Sequence, residues 1–216
     1  MELGGIDLDQ VLYIFLLLLI GMGPKIALVP FLDATADMDR ETKKKVANVM
    51  VRTAVGMALF LVVLGGILMK LLHFTPGAVQ VAGGIVLLLM GIKMVAGSEN
   101  GEGEPAVDTD RKAMAMATYP LAVPYLLNPA GIAILIIASD GIDSLLTGAI
   151  LVGLVLVVGA IDMLVFRNID VLAKHLNQSR LVVTEVVFGV LFAAVAVQLA
   201  LEGLHDLGIV VMDILH

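Results

Sequence analysis

Two charged residues lie inside long apolar stretches of the chain, where a charge is unusual. Lys25 directly follows Gly23-Pro24, and Asp162 lies in a later stretch. A charged side chain inside an apolar helix of bilayer length usually faces the protein interior or pairs with another charge. Counted along their stretches, the two residues fall within about 5 Å in depth. We predict a Lys25–Asp162 pair lining a cavity, with Asp162 a candidate proton carrier; alternatively, Asp162 reaches the surface near Arg167.

Two prolines interrupt apolar stretches at corresponding places. The first interruption reads Gly21-Met22-Gly23-Pro24 and the second Asn128-Pro129-Ala130-Gly131. Proline removes a backbone donor and frees the carbonyl one turn earlier. A half-helix beginning at each proline would direct its positive end at the centre of the protein, which suits a carboxylate. The alternative is that the prolines only kink packed helices. We predict a substrate site at Gly23, Pro24, Lys25, Asn128, Pro129 and Gly131, in which the Asn128 amide orients the ligand.

The composition indicates an integral membrane protein. Of the 216 residues, 60% are hydrophobic and 15% are charged, and the mean hydropathy is +1.04. Soluble domains are about 45–50% apolar and about 25% charged. Cysteine is absent, which excludes disulfides and thiolate metal sites. The four histidines are scattered, so we predict no metal site and no cofactor.

Six stretches are long and apolar enough to cross a bilayer as helices. They cover residues 11–32, 46–72, 77–96, 113–138, 145–166 and 181–201. Lys and Arg concentrate in every second connection, and Lys70 alone breaks this alternation. Because such connections are normally cytoplasmic, we predict that both termini lie outside the plasma membrane.

The polar segment 98–112, which is rich in Glu, Asp and Gly, predicts a solvated cytoplasmic linker between two halves. Residues 1–97 and 113–216 then hold three transmembrane helices each. An odd number of helices in each half makes the halves inverted repeats, as in many transporters. The predicted fold is therefore an all-α integral membrane protein, in which the first helix of each repeat is broken at Gly/Pro.

The chain resembles the MarC family of neutral amino acid transporters, within the lysine-exporter superfamily. The resemblance rests on the stretch 81–91, on Pro120 to Pro124 leading into the Asn128 break, and on 188–191 followed by 196–198 and Gly203. It implies two inverted three-helix repeats and transport of small neutral amino acids such as alanine or glycine. Family members usually carry Asn-Pro where this chain has Gly23-Pro24, and many carry Gly-Pro where it has Asn128-Pro129.

These patterns favour a secondary transporter of a small amino acid or related carboxylate over an enzyme. Two alternatives remain open, namely an intramembrane enzyme acting on a lipid-linked substrate and a metal-ion exporter. Both would need more intramembrane carboxylate or histidine side chains than the apolar stretches contain. We expect a small-molecule substrate and the lipid bilayer as partners, expect no nucleic acid, and leave a homo-oligomer open.

Overall fold

The computed structural model describes residues 2–3, 6–96, 109–169 and 178–211. A two-residue antiparallel pair, β1 (Glu2–Leu3) and β2 (Ile6–Asp7), precedes the helices. The helices are α1 (Leu8–Met22), α2 (Pro24–Ala34), α3 (Arg40–Leu72), α4 (Pro76–Ala96), α5 (Thr109–Met116), α6 (Pro129–Asp140), α7 (Leu145–Arg167) and α8 (Gln178–Asp206). Between α5 and α6, residues Ala117–Leu126 form a wide π-helical segment.

The helices confirm a multi-pass membrane protein. Five spans in the described residues are long and apolar enough to cross a bilayer, and a sixth is completed by the bent pair Ala113–Leu126 and Pro129–Asp140. Large apolar side chains such as Val63, Ile67 and Leu164 are exposed on the outside of the bundle. Such an apolar surface is stable in lipid and would be unfavourable in water. The predicted all-α membrane fold is therefore confirmed.

Local signals set several helix ends. Asp39 precedes α3, and its Oδ2 accepts a hydrogen bond from the Glu41 N–H at 3.0 Å. Ser144 precedes α7 and caps it through the Thr147 N–H at 3.2 Å. Short polar side chains at these positions accept from amide groups that have no partner within the helix.

The helices α4 and α8 pack along a seam of small residues spaced seven apart. Gly77 lies against Gly203, Gly84 against Ala196, and Gly91 against Gly189. A Cβ atom added to Gly84 would lie 2.7 Å from the Ala196 carbonyl oxygen, so the two backbones are in direct contact there. Small residues allow this approach between helices in a bilayer.

The packing fits two inverted repeats. In the seam, exchanging the two helices exchanges the Gly77–Gly203 and Gly91–Gly189 contacts and leaves Gly84–Ala196 in the middle. Elsewhere α3 packs on α7, and the packing of α1 on α6 is matched by that of α2 on the π segment. The inverted relation of 1–97 to 113–216 stays a prediction that these contacts support. Most of the predicted linker 98–112 lies outside the described residues, which resume with α5 at Thr109.

The side of the bundle where α1 begins and α8 ends is called the terminal side below. Lys70, the residue that breaks the Lys/Arg alternation, lies on this side near the end of α3. Its Nζ lies 3.6 Å from Asp140 Oδ1 at the end of α6. Both side chains are substantially exposed, so the pair contributes little stability, but it gives the exceptional lysine a partner of opposite charge.

Candidate functional site

The first helix is broken where the sequence predicts. Gly23 separates α1 from α2 with an extended backbone, φ −83° and ψ 164°, and Pro24 is the first residue of α2. Proline at this position loses no helical hydrogen bond of its own, since the first N–H groups of a helix have no intrahelical acceptor. The carbonyl of Ile20, four residues earlier, is left without the donor that a regular helix would supply.

The second break has the same local geometry. Asn128 has φ −84° and ψ 167°, within a few degrees of Gly23, and Pro129 is the first residue of α6. The backbone bends by 69° between the segments on either side. The irregularity reaches further back than the sequence predicts, because Tyr119 and Val123, each followed by a cis proline, have extended backbones within the π segment. The first half of this span is therefore not a regular α-helix.

Asn128 joins the two breaks. Its side-chain Nδ2 donates to the Ile20 carbonyl at 2.8 Å, and its backbone N–H donates to the Gly21 carbonyl at 2.9 Å. Its Oδ1 accepts from the Gly131 N–H at 3.0 Å, which caps α6. The carbonyl that Pro24 leaves without a helical donor is thus satisfied by the residue before Pro129. Since Asn128 is 1% exposed, these bonds are shielded from water and from lipid headgroups.

Glycine allows the two breaks to touch. A Cβ atom on Gly21 would lie 2.7 Å from the Gly131 nitrogen, and one on Gly131 would lie 2.6 Å from the Gly21 carbonyl carbon. Real Cβ atoms do not approach backbone atoms this closely, so neither position has space for a side chain. The backbones of α1 and α6 therefore cross in contact at Gly21 and Gly131, beside the Asn128 hydrogen bonds.

The other predicted site residues lie close to this crossing in the sequence, but they differ in how exposed they are and in whether the protein already hydrogen-bonds them. Gly23, Pro129 and Gly131 are buried, and Pro24 is half-buried. The amide of Asn128 is hydrogen-bonded to the protein through both its oxygen and its nitrogen. In contrast, no side chain caps the N-terminus of α2, which carries the exposed Lys25. Of the two helix starts, that of α2 is therefore the one without a side-chain cap.

The predicted Lys25–Asp162 ion pair is not formed. Asp162 is fully buried, and neither of its carboxylate oxygens has a hydrogen-bond partner among the described residues. Asp162 and Phe166 share one face of α7, and the Phe166 ring packs against Phe31 of α2 with centroids 5.0 Å apart. Lys25 precedes Phe31 by six residues, which places it about 120° around α2 from that contact. Lys25 therefore lies away from the face of α2 that contacts α7 beside Asp162.

A cavity of about 510 Å³ leads from the terminal side towards the crossed breaks. One wall is α1, the opposite wall is the α4–α8 pair, and α6 forms the back. Ile20 and Ala130, which flank the crossing, line its deep end. Four polar residues of the terminal half of the bundle also line it: Gln10, Gln80, Gln198 and Glu202. Lys25 is not among the lining residues.

A second cavity of about 270 Å³ lies on the other side of α1. Its polar residues include Asp143 and Thr147, which are hydrogen-bonded to each other at 2.9 Å. The Asp143 carboxylate and the Thr147 hydroxyl are therefore already hydrogen-bonded within the protein. No residue of either helix break lines this cavity. Within the described ranges, no group of three or more His, Asp or Glu residues is arranged to hold a metal ion.

The pattern of residues 8–207 matches the model of the MarC family, described as integral membrane proteins. This match covers nearly the whole chain and includes both breaks and all four polar cavity residues. The chain belongs to the MarC family. The resemblance seen in the sequence is thereby confirmed.

Two archaeal relatives are similar over nearly their full length. The UPF0056 membrane protein PH0214 of Pyrococcus horikoshii is 26% identical over 200 residues, which cover 91% of this chain and 94% of that protein. The UPF0056 membrane protein MJ1677 of Methanocaldococcus jannaschii is 23% identical over 189 residues, covering 85% and 90% respectively. No solved structure matches the chain.

Sequence reasoning did not single out the polar lining of the larger cavity. Gln80 and Gln198 lie inside predicted spans, and Glu202 directly follows the last one. A polar or ionisable side chain within an apolar helix indicates an internal site. The sequence therefore contained a signal for these three residues. What the sequence could not indicate is that these side chains from two distant helices line one cavity in this MarC-family protein.

Proposed function

We propose that this MarC-family protein is a secondary transporter of a small amino acid or related small carboxylate. One observation carries the proposal: a cavity of about 510 Å³ extends from the terminal side of the bundle to two broken helices that are joined in its middle. Transporters commonly bind substrate where discontinuous helices expose backbone groups at the centre of the membrane. The volume is within the range of about 300–1,000 Å³ found for small-ligand sites.

The N-terminus of α2 suits the carboxylate end of such a substrate. Gly23 offers no capping side chain, and a helix N-terminus favours a negative group. Lys25, the second residue of α2, adds a positive charge beside it. The proposed substrate site therefore comprises Gly23, Pro24 and Lys25 from the first break and Asn128, Pro129 and Gly131 from the second, with Asn128 holding the two breaks together. The proposed location is the plasma membrane, with the terminal side outside.

The test is exchange of labelled alanine or glycine by purified protein in proteoliposomes. Lys25→Ala is expected to raise the half-saturating concentration about tenfold or more, because the substrate carboxylate loses a charge-assisted partner. Lys70→Ala is the matched control, since Lys70 carries the same charge but lies on the terminal surface. Absence of exchange of any small amino acid by the unaltered protein contradicts the proposal; equal behaviour of the two variants contradicts the role of Lys25.

Asp162 is proposed to carry the coupling proton or cation. A carboxyl group that is buried without a partner, as this one is, is best stabilised by binding a cation or proton. We expect Asp162→Asn to retain exchange but to lose accumulation driven by a proton or sodium gradient. Asp140→Asn, on the exposed end of α6, is the control and should keep both activities. Gradient-driven accumulation by Asp162→Asn at the unaltered rate would exclude this role.

A further inference from the structure

The terminal half of the larger cavity is rich in hydrogen-bond acceptors and carries one negative charge. Glu202 is the only carboxylate among the described residues that line it. Gln198 Nε2 donates to Glu202 Oε1 at 2.8 Å, which holds the carboxylate in position and leaves the Gln198 amide oxygen as a further acceptor. On the facing helix α4, the Gln80 Oε1 atom is buried and has no hydrogen-bond partner in the part of the chain that the structure describes.

Close helix packing brings Gln80 beside Glu202. Gly203, the residue after Glu202, packs against α4 so tightly that an added Cβ atom would lie 2.9 Å from Gln80 Cβ. Gln80 is four residues from the start of α4 and Glu202 is four from the end of α8. Both are thus about 6 Å from the ends of their helices on the terminal side. The side chains of Gln80 and Glu202 therefore start at about the same depth, from two helices whose backbones are in contact.

We infer that Gln80, Gln198 and Glu202 form a recognition site for the ammonium group of the transported substrate. A primary ammonium has three donors and no acceptor. It therefore complements one carboxylate and two amide oxygens, and it would give the buried Gln80 oxygen its missing partner. A buried acceptor without a partner is unfavourable, so its satisfaction by ligand favours binding. A carboxylic acid that lacks the ammonium would bring its own negative charge beside that of Glu202 and would leave the Gln80 oxygen without a donor.

This inference rests on the proposed function and adds the requirement for an amino group at the terminal-side entry. It predicts that external propionate and lactate compete poorly with alanine, whereas small primary amines compete measurably. Glu202→Gln is expected to raise the external half-saturating alanine concentration about tenfold and to leave the maximal rate within a factor of about two. The control is Asp206→Asn, which removes the same charge one turn further along α8, outside the cavity lining.

The experiment is alanine counterflow in proteoliposomes, with competitors added outside. A second variant, Glu202→Gln combined with Gln80→Glu, returns a carboxylate to the facing wall and should recover part of the lost affinity, which also guards against a folding defect in the single variant. An unaltered alanine affinity in Glu202→Gln, or equal competition by alanine and propionate, overturns the ammonium site while transport itself stands. If the unaltered protein exchanges no small amino acid, the proposed function fails and this inference fails with it.

Discussion

Alanine at Gly131 is expected to destabilise the protein by about 3 kcal/mol or more, the upper range for overpacking a tight contact. The added Cβ atom would overlap the backbone of Gly21, which is itself part of a helix and cannot yield as a flexible side chain would. Relief therefore requires α1 and α6 to separate. Separation would also lengthen the hydrogen bonds from Asn128 to Ile20 and Gly21.

The measurement is thermal unfolding in detergent, followed by far-ultraviolet circular dichroism because the chain contains no tryptophan. Gly153→Ala is the matched control. Gly153 lies within α7, and nothing lies within 4 Å of a Cβ atom placed there. Alanine is the better helix former by about 1 kcal/mol, so this variant should be as stable as the unaltered protein or slightly more so. Equal midpoints for the Gly131 and Gly153 variants would contradict the contact between the two breaks.

Substitution of Asn128 is expected to have the second largest effect. In Asn128→Leu, the carbonyl of Ile20 and the N–H of Gly131 both lose their partners in a buried site, at about 1–3 kcal/mol for each group. Asn128→Asp separates the two roles. It retains the oxygen that caps α6, but it places a second oxygen opposite the Ile20 carbonyl where the amide nitrogen donated.

We therefore expect both Asn128 variants to be less stable than the unaltered protein in the same unfolding assay. Asn168→Ala serves as the control, because Asn168 Nδ2 also donates to a backbone carbonyl, that of Leu164 at 2.7 Å, but at an exposed helix end. Loss of this exposed hydrogen bond should change the midpoint temperature of unfolding little. If Asn128→Asp matched the unaltered protein, the role of Asn128 would be limited to capping α6, and the hydrogen bond to Ile20 would contribute nothing.

The hydrogen bonds from Asn128 to Ile20 and Gly21 restrict the motions that the proposed transport could use. The bonds from Asn128 connect α1, from the first half of the chain, to α6, from the second. A motion that opens the opposite side of the bundle would have to keep this junction and bend around it, or break both hydrogen bonds and the Gly21–Gly131 backbone contact at once. In the second broken span, two extended residues and two prolines interrupt the regular helix within the π segment.

The comparison of Lys25 with Asp162 illustrates what a sequence can and cannot predict about a membrane site. Depth follows from counting residues along a helix, because the rise per residue is nearly constant. The direction of a side chain depends on how the helix is rotated against its neighbours. That rotation is set at α2 and α7 by the Phe31–Phe166 contact, and at α7 and α3 by Gly159 packing on Val55. Neither contact is encoded in the local sequence.

The sequence by itself determined the apolar spans, the existence of the two breaks and the family. All of these depend on local chemistry: the length of an apolar run, the missing donor of proline, and the order of residues along the chain. Only the tertiary structure decided that Asn128 supplies the donor that Pro24 removes, that Lys25 lies away from the face of α2 that packs beside Asp162, and that Gln80 and Glu202 line one cavity. Those outcomes depend on which helices are neighbours and how each is rotated. Packing contacts between residues more than a hundred positions apart, such as Gly21 and Gly131, determine both.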